Sequence, residues 1–288
     1  IPRQQCQQIA NGWRGQLSIA VDDIVKPARM RQMIVDFYRH FPDVELIVFQ
    51  EVFNGVWDAL ADGRVELAIG ATRSIPVGGR YAFRDMGMLS WDCVVASDHP
   101  LAKMAGPLSD DVLRNWPSLV REDTSRSLPK RTTWLLDNQK RVVVPDWESS
   151  ATCLSAGLCV GMVPSHFARP WVDRGEWTAL ALENPFPDAA CCLTWQQNDA
   201  SPALNWMLDY LGDSDTLNRE WLRAPEGSAP ANALATIVDK RAIRHRAAFD
   251  QPRVHFDRLR LFALVDDTIQ QHIERGFAQR IFRLMNGG

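Results

Sequence analysis

The stretch Glu51-Val-Phe-Asn-Gly-Val-Trp-Asp-Ala-Leu-Ala-Asp-Gly-Arg-Val-Glu-Leu-Ala-Ile-Gly70 decides the class of fold. Its apolar residues recur at helical spacing over residues 56–60 and stop at Gly63, and a continuous apolar run follows over residues 65–70. A short helix, a glycine break and a strand that is apolar on both faces are typical of a parallel sheet covered by helices. The stretch therefore predicts an α/β protein.

Units of the same kind lie on both sides of this stretch. Upstream, residues 16–21 and 44–49 predict strands, and a helix begins at Pro27 and ends before Pro42. Downstream, strands are predicted over residues 85–96, 118–121, 141–145, 158–163 and 190–195, and helices over residues 109–116, 129–136, 149–156, 165–173 and 202–211. Because alternating strands and helices build parallel sheets with right-handed crossovers, we expect two Rossmann-like lobes. Two crossover strands, near residues 89–92 and 190–195, would join them.

The same pattern divides the chain into five parts. We predict the end of a polar helix over residues 1–14, lobe I over residues 15–90 and 190–212, lobe II over residues 91–189, a linker over residues 213–235 and a basic amphipathic helical tail over residues 236–288. From residue 224 onward, ten Lys and Arg stand against seven Asp and Glu. Such a helix can dock on a partner or on the body of the protein, belong to a separate module, or stay unpacked.

Composition limits the classes of function. The chain of 288 residues is 46% hydrophobic and 23% charged, as in a soluble globular protein. Its net charge of −3 gives no general attraction to nucleic acid or to an anionic membrane. No apolar run approaches the ~18 residues of a membrane helix. The six cysteines have neither CxxC nor metal-site spacing, so we expect reduced thiols in a cytoplasmic protein.

No enzyme motif is present in the sequence. It contains no GxSxG, no HExxH and no GxxxxGK[ST] segment, and no two of its six histidines have the spacing of metal ligands. We therefore expect neither catalysis nor a metal or cofactor.

Polar side chains follow the predicted strands at their carboxyl ends. In open α/β sheets, ligands bind at these ends, where several strands and helix N-termini converge. The candidates for ligand binding are Asp22, Asp23, Phe53, Asn54, Thr72, Thr124, Ser125, Ser149, Pro164 and His166. Carboxylates, hydroxyls, an imidazole and an aromatic ring suit a polar, ring-shaped solute that forms hydrogen bonds.

Several of these candidates also have a simpler interpretation. Asp22 and Ser149 can be helix N-caps, Phe53 can be a core residue, and His166 can be a solvated residue at a helix start. Trp91 and Trp195 lie on the two predicted crossovers, where we expect a hinge between the lobes.

Four blocks of sequence resemble the effector-binding domain of LysR-type transcriptional regulators. They are Phe41-Pro-Asp-Val-Glu-Leu46, Ala59-Leu-Ala-Asp-Gly-Arg-Val-Glu-Leu-Ala-Ile69, Asp98-His-Pro-Leu-Ala102 and Ser155-Ala-Gly-Leu-Cys-Val-Gly-Met-Val-Pro164. The resemblance implies a periplasmic-binding-protein-like type 2 fold and a small-molecule effector. It also implies homodimers or homotetramers, and a helix-turn-helix domain, missing from this sequence, that binds promoter DNA. Residues 1–14 would then be the end of a linker helix, and the effector pocket would include Ile24 beside Asp22 and Asp23.

Three further segments, at residues 3–8, 52–58 and 143–150, resemble the purine-nucleoside-responsive members of that family. This resemblance implies an activator of purine nucleoside or nucleobase uptake. The family often has a small hydroxyl residue where this chain has Asp23-Ile24, which favours a neutral effector with hydrogen-bond donors over a carboxylate. The alternative is a solute-binding protein of a transport system, which has the same two-lobed fold.

Overall fold

A five-stranded sheet carries the first part of the chain. In this computed structural model, which describes residues 15–74, 78–131, 134–197 and 200–223, its order is β2-β1-β3-β10-β4. The strands are β1 Gln16–Asp22, β2 Glu45–Glu51, β3 Leu67–Thr72, β4 Tyr81–Leu89 and β10 Ala189–Gln196. β1 pairs in parallel with β2 and β3, whereas β10 is antiparallel to β3 and β4. Helices α1 Pro27–His40 and α2 Asn54–Ala61 connect the parallel strands. We call this sheet and its helices the five-stranded lobe.

A second, smaller unit follows, which we call the three-stranded lobe. Its sheet has the order β8-β5-β9, with β5 Trp91–Ala96, β8 Gly161–Pro164 and β9 Trp177–Ala179. A parallel pair, β6 Ser118–Val120 and β7 Arg141–Val143, lies beside it. Its helices are α3 Asp110–Arg114, α4 Trp147–Ser155 and α5 Ser165–Asp173, with a 3-10 turn over Pro100–Lys103. The predicted α/β fold of two lobes is confirmed.

Both crossovers lie close to their predicted positions, but only the first has its predicted tryptophan at the junction. β4 ends in the five-stranded sheet at Leu89, and β5 begins in the three-stranded sheet at Trp91. β10, in contrast, pairs with β4 from Ala189 to Gln196, so the return to the five-stranded lobe precedes Ala189. Trp195 therefore lies inside the five-stranded sheet, opposite Leu67 and Ala82, and not on a crossover.

The last described residues pack on the five-stranded lobe and do not form the predicted linker. After α6 Pro202–Leu211, a short helix α7 Ser214–Leu217 and a π-helix Asn218–Leu222 follow. The side chains of Leu217 and Trp221 are fully buried, and the Lys26 amide donates to the Trp221 carbonyl at 3.0 Å. Residues 213–222 therefore belong to the core, because the apolar side chains of Leu217 and Trp221 are buried between α1 and β4. The predictions for residues 1–14 and for the tail lie outside the described residues.

Local chemistry explains why these elements form. Helix α1 begins with Pro27 at its first position, where a missing amide costs nothing, and it buries Met33 and Phe37. The Phe37 ring meets Trp206 of α6 edge to face, with 5.9 Å between ring centroids. The helix predicted over residues 129–136 is absent from the described residues of that range. Side chains outside this segment bind its backbone instead. Asn54 Nδ2 donates to the Pro129 carbonyl at 2.9 Å, and the Arg131 amide donates to Asp123 Oδ2 at 2.8 Å.

Among the described residues, no helix combines the length and the apolar composition that a membrane span requires.

Candidate functional site

A narrow cleft lies between the two lobes, at the carboxyl ends of β1, β2 and β6. The lining residues are Asp23, Ile24, Phe53, Trp91, Leu119, Arg121, Trp147 and Met162. About 10 Å³ of the cleft is open to the centre of a water molecule, which is close to what one water needs. Three aromatic rings and three aliphatic side chains therefore surround one acid and one base in a nearly closed space.

The cleft contains part of the predicted ligand set and adds residues to it. Of the candidates for ligand binding, Asp23, Ile24 and Phe53 line it, and the predicted hinge residue Trp91 joins them. Four further lining residues were not predicted from the sequence: Leu119, Arg121, Trp147 and Met162. A signal existed for Arg121, since it follows the strand whose loop gave Thr124 and Ser125 as candidates.

Asp23 is the centre of the polar contacts in the cleft. Its Oδ2 accepts from Arg121 Nε at 2.9 Å and from Nη2 at 2.5 Å, and both side chains are almost fully buried. The Trp147 indole Nε1 donates to the Asp23 carbonyl at 2.8 Å. Burial raises the pKa of Asp23, and the Arg121 guanidinium opposes that shift. The three contacts join the two lobes, since Asp23 follows β1 whereas Arg121 and Trp147 belong to the three-stranded lobe.

Asp22 lies directly beside this ion pair but is not among the lining residues. Its Oδ1 accepts from the Ile24 amide at 3.1 Å, so the residue holds the turn after β1. Burial raises the pKa of the Asp22 carboxyl well above its ordinary value, and the neighbouring Asp23 charge raises it further. Backbone hydrogen bonds from Ile24 and Phe53 oppose both effects. Asp22 is therefore not the predicted helix N-cap, since Lys26 holds that position of α1, and its carboxylate instead fixes the turn before the helix.

Phe53 enters the cleft from a strained turn. Its backbone has φ 53° and ψ −122°, and the Gly55 amide donates to the Val52 carbonyl at 3.0 Å, which together describe a type II′ turn. The first central position of such a turn favours glycine, and a bulky residue there costs of order 1–3 kcal/mol. Strain of this kind concentrates at functional sites, so a ring held here despite it is a candidate for ligand contact.

Asn54 and Thr124 do not line the cleft, because they are engaged in a second set of contacts between the lobes, and Ser125, which does not line it either, forms hydrogen bonds within its own loop. We call the hydrogen bonds between residues 51–58 and residues 123–131 the seam. Within it, the Asn54 amide donates to Asp123 Oδ2 at 3.1 Å, and the Val52 amide donates to Thr124 Oγ1 at 2.9 Å. Thr124 Oγ1 also donates to Glu51 Oε2. The Ser125 amide donates to Asp123 Oδ1 at 2.8 Å.

Asp58 of helix α2 accepts several hydrogen bonds of the seam. Its carboxylate accepts from the amides of Arg126, Ser127 and Leu128 at 3.1, 2.9 and 3.0 Å. It also accepts from Arg64 Nη2 at 2.9 Å. Burial opposes ionisation, but these four donors together lower the pKa of Asp58 below its ordinary value. Helix α2, which belongs to the segment at residues 51–70, therefore binds the loop at residues 126–128 of the opposite lobe.

The other predicted residues lie away from the cleft lining. The Trp57 indole Nε1 donates to the Thr72 carbonyl at 3.0 Å. Ser149 donates its amide to Asp146 Oδ1 at 2.7 Å, so Asp146 and not Ser149 is the N-cap of α4. Pro164 pairs with Trp91 in the three-stranded sheet.

His166 is buried and not a solvated residue at a helix start, which corrects that interpretation. Burial lowers the pKa of His166 to about 4, so the imidazole is neutral near pH 7. No group of three or more His, Cys, Asp or Glu side chains in the described part of the chain could hold a metal ion.

Two α/β lobes with a cleft at the strand ends define a two-lobed domain that binds small molecules. Residues 10–215 match the family described as LysR substrate binding domain. The chain belongs to this family, and it is the effector-binding domain of a LysR-type transcriptional regulator. Members of the family bind small-molecule effectors, oligomerise and bind promoter DNA.

Known proteins similar to this chain support the assignment. The HTH-type transcriptional regulator PunR of Escherichia coli K12 is 84% identical over 226 residues, which are 78% of this chain and 73% of that protein. Among solved structures, full-length LysG of Corynebacterium glutamicum with bound effector Arg has a TM-score of 0.56 and 20% identity. That match covers 76% of this chain and 74% of LysG. The regulatory domain of MetR from N. meningitidis has a TM-score of 0.53 and 15% identity, covering 71% of this chain and 93% of that domain. The two structures show the fold alone.

Proposed function

We propose that this domain senses a purine nucleoside or nucleobase and that it belongs to a transcriptional activator of purine uptake. The observation that carries the proposal is the lining of the cleft, in which three aromatic rings and three aliphatic side chains surround a single acid and a single base. Flat aromatic ligands stack on such rings, and a purine presents donors and acceptors at its edge. The high identity to PunR and the resemblance of residues 52–58 to purine-responsive regulators support the same ligand class.

The charges of the cleft favour a neutral ligand. Asp23 and Arg121 are the charged members of the lining, and they are bound to each other through two hydrogen bonds. A carboxylate ligand would have to compete with Asp23 for Arg121 and would then leave the Asp23 charge buried without a partner, which is costly. A neutral heterocycle avoids this cost, because it carries no charge that would replace Asp23 as the partner of Arg121.

The remaining expectations about the whole protein belong to the same proposal. A dimer or tetramer would carry the DNA-binding domains, and ligand binding would shift the relative orientation of the lobes. The protein would act in the cytoplasm and would not be an enzyme. A solute-binding protein of a transport system is not favoured, because the chain belongs to a family of transcriptional regulators.

Isothermal titration calorimetry with adenosine, inosine, hypoxanthine and allantoin tests the ligand class. We expect binding of at least one purine nucleoside or base, and weaker binding of allantoin, which lacks an aromatic bicycle. Benzoate and arginine serve as charged controls and should not bind. If none of the purines binds at millimolar concentration, the purine proposal is wrong.

A further inference from the structure

Two groups of hydrogen bonds between the lobes, among the described residues, differ in number. In the seam, Asp58 accepts from the three amides of residues 126–128, and Asn54 and Thr124 add further bonds. Asp23 accepts three hydrogen bonds from the opposite lobe, all from the ends of two side chains, Arg121 and Trp147.

The cleft between the lobes is narrow. Its open space fits about one water molecule, and Phe53, Trp147 and Met162 lie around it. A purine is larger than this space, so its entry requires the cleft to widen. Separation at Asp23 breaks three hydrogen bonds, which is fewer than separation at the seam breaks.

Arg121 and Trp147 are well fixed on their own side of the cleft. Arg121 Nη1 donates to the Val144 carbonyl at 2.7 Å, and the Trp147 ring stacks on Phe167 with 5.2 Å between centroids. Both partners belong to the three-stranded lobe. The two side chains therefore move with that lobe when it separates from Asp23.

We propose that Asp23, Arg121 and Trp147 form a latch that keeps the ligand-free cleft closed, and that ligand binding begins with its opening while the seam stays intact. The inference rests on the proposed function only in its choice of ligand, because the latch can be measured without one. Arg121 and Trp147, which also line the cleft, then set the population of the open, binding-competent state. A ligand's apparent affinity is reduced by the fraction of protein in that state, so a weaker latch strengthens apparent binding.

The chain offers a closely matched pair of variants. Trp147→Phe removes one indole hydrogen bond between the lobes and keeps a ring stacked on Phe167. Trp177→Phe removes an equivalent bond inside the three-stranded lobe, where Trp177 Nε1 donates to Ser155 Oγ at 2.9 Å and the ring stacks on Trp171 at 4.8 Å. Both variants should fold, and only the first touches the latch.

Hydrogen–deuterium exchange of the Arg121 Nε–H, followed by NMR in the 288-residue chain without ligand, measures the latch, because this group donates to Asp23 across the cleft. A single net hydrogen bond corresponds to a change of roughly 2- to 10-fold in the opening equilibrium. We expect the Arg121 Nε–H to exchange faster by that factor in Trp147→Phe, with the amides of residues 126–128 unchanged, and wild-type exchange in Trp177→Phe. The latch is refuted if the Arg121 Nε–H of Trp147→Phe exchanges like wild type, or if the amides of residues 126–128 lose protection together with it. Arg121→Lys, which keeps the charge but loses one of the two donors to Asp23, is the second variant if Trp147→Phe does not fold, and the Trp147 indole N–H is then the group observed.

Stopped-flow binding of adenosine and hypoxanthine then separates the two proposals. A latch that must open first predicts faster association to Trp147→Phe, again by roughly 2- to 10-fold, with Trp177→Phe at the wild-type rate. Slower association and weaker affinity in Trp147→Phe would make Trp147 a ligand contact and would overturn its role as a latch. If neither compound binds wild-type protein, the purine proposal fails, whereas the exchange experiment still decides on the latch.

Discussion

Replacing Asp58 with asparagine should break the seam and cost a large part of the stability of the domain. The Asp58 side chain is 1% exposed, and its two oxygens accept four hydrogen bonds. Asparagine has the same shape but only one acceptor oxygen, so two of the four donors would face an amide NH₂. Each hydrogen bond to a charged group contributes about 1.5–3 kcal/mol, so two lost bonds predict a decrease of about 3–6 kcal/mol in the free energy of unfolding.

Urea denaturation at 25 °C, followed by circular dichroism and by tryptophan fluorescence, measures this loss. Asp62→Asn is the matched control, because Asp62 lies one turn further along and its side chain is 41% exposed. Its contacts are long, at 3.4 Å to Ser127 Oγ and 3.9 Å to Arg64 Nε, so we expect a change of at most about 1 kcal/mol. A loss for Asp58→Asn no greater than that for Asp62→Asn would refute the argument that this carboxylate fastens the loop.

Three further substitutions test other parts of the site. Gly55→Ala should lower the free energy of unfolding, measured by urea denaturation, by about 1–3 kcal/mol, because an added Cβ would lie 1.9 Å from Thr124 Oγ1. The control Gly78→Ala should leave it unchanged, because a Cβ there meets nothing within 4 Å. Phe53→Gly should be more stable than Phe53→Ala by about 1–3 kcal/mol, because only glycine adopts φ 53° without strain. Both variants should lose about 1 kcal/mol of binding free energy for adenosine, measured by calorimetry, because the aromatic ring is gone. Equal stability of these two variants would remove the evidence for strain. His166 has a folded pKa of about 4 against 6.5 when unfolded, so the unfolded state binds more protons between these values, and stability falls as the pH falls through that window. From pH 7 to pH 5, wild type should therefore lose about 2 kcal/mol more than His166→Leu, and identical losses would contradict the assignment.

The candidate site could be predicted in part, because parallel strands end at one edge of their sheet. Asp23 and Phe53 follow β1 and β2, so the topology alone brings them together at the cleft. Arg121 and Trp147 escaped prediction because their contacts to Asp23 span 98 and 124 residues. No local pattern indicates that a lone arginine after a short strand will meet an aspartate so far away.

Asn54, Thr124 and Ser125 were also predicted to bind the ligand, but they do not line the cleft. Their residue types and positions suit a ligand, and they follow strand ends as predicted. The fold brings Asn54 and Thr124 so close to the opposite lobe that they form hydrogen bonds with it, as Asn54 does with Asp123 and Pro129, whereas Ser125 bonds within its own loop. Polar groups that are buried together prefer a partner within the protein, so the seam forms where a binding surface was expected.

The sequence by itself determined the class of fold, the order of the strands along the chain, the family and the general position of the cleft. These depend on local periodicity, on glycine and proline breaks, and on short motifs, all of which can be read within about twenty residues. Only the tertiary structure decided that residues 213–222 belong to the core and which polar residues face the cleft. Those outcomes depend on pairing between distant segments, such as the loop at residues 123–131 against helix α2, and the energy of that pairing is not encoded in either segment alone.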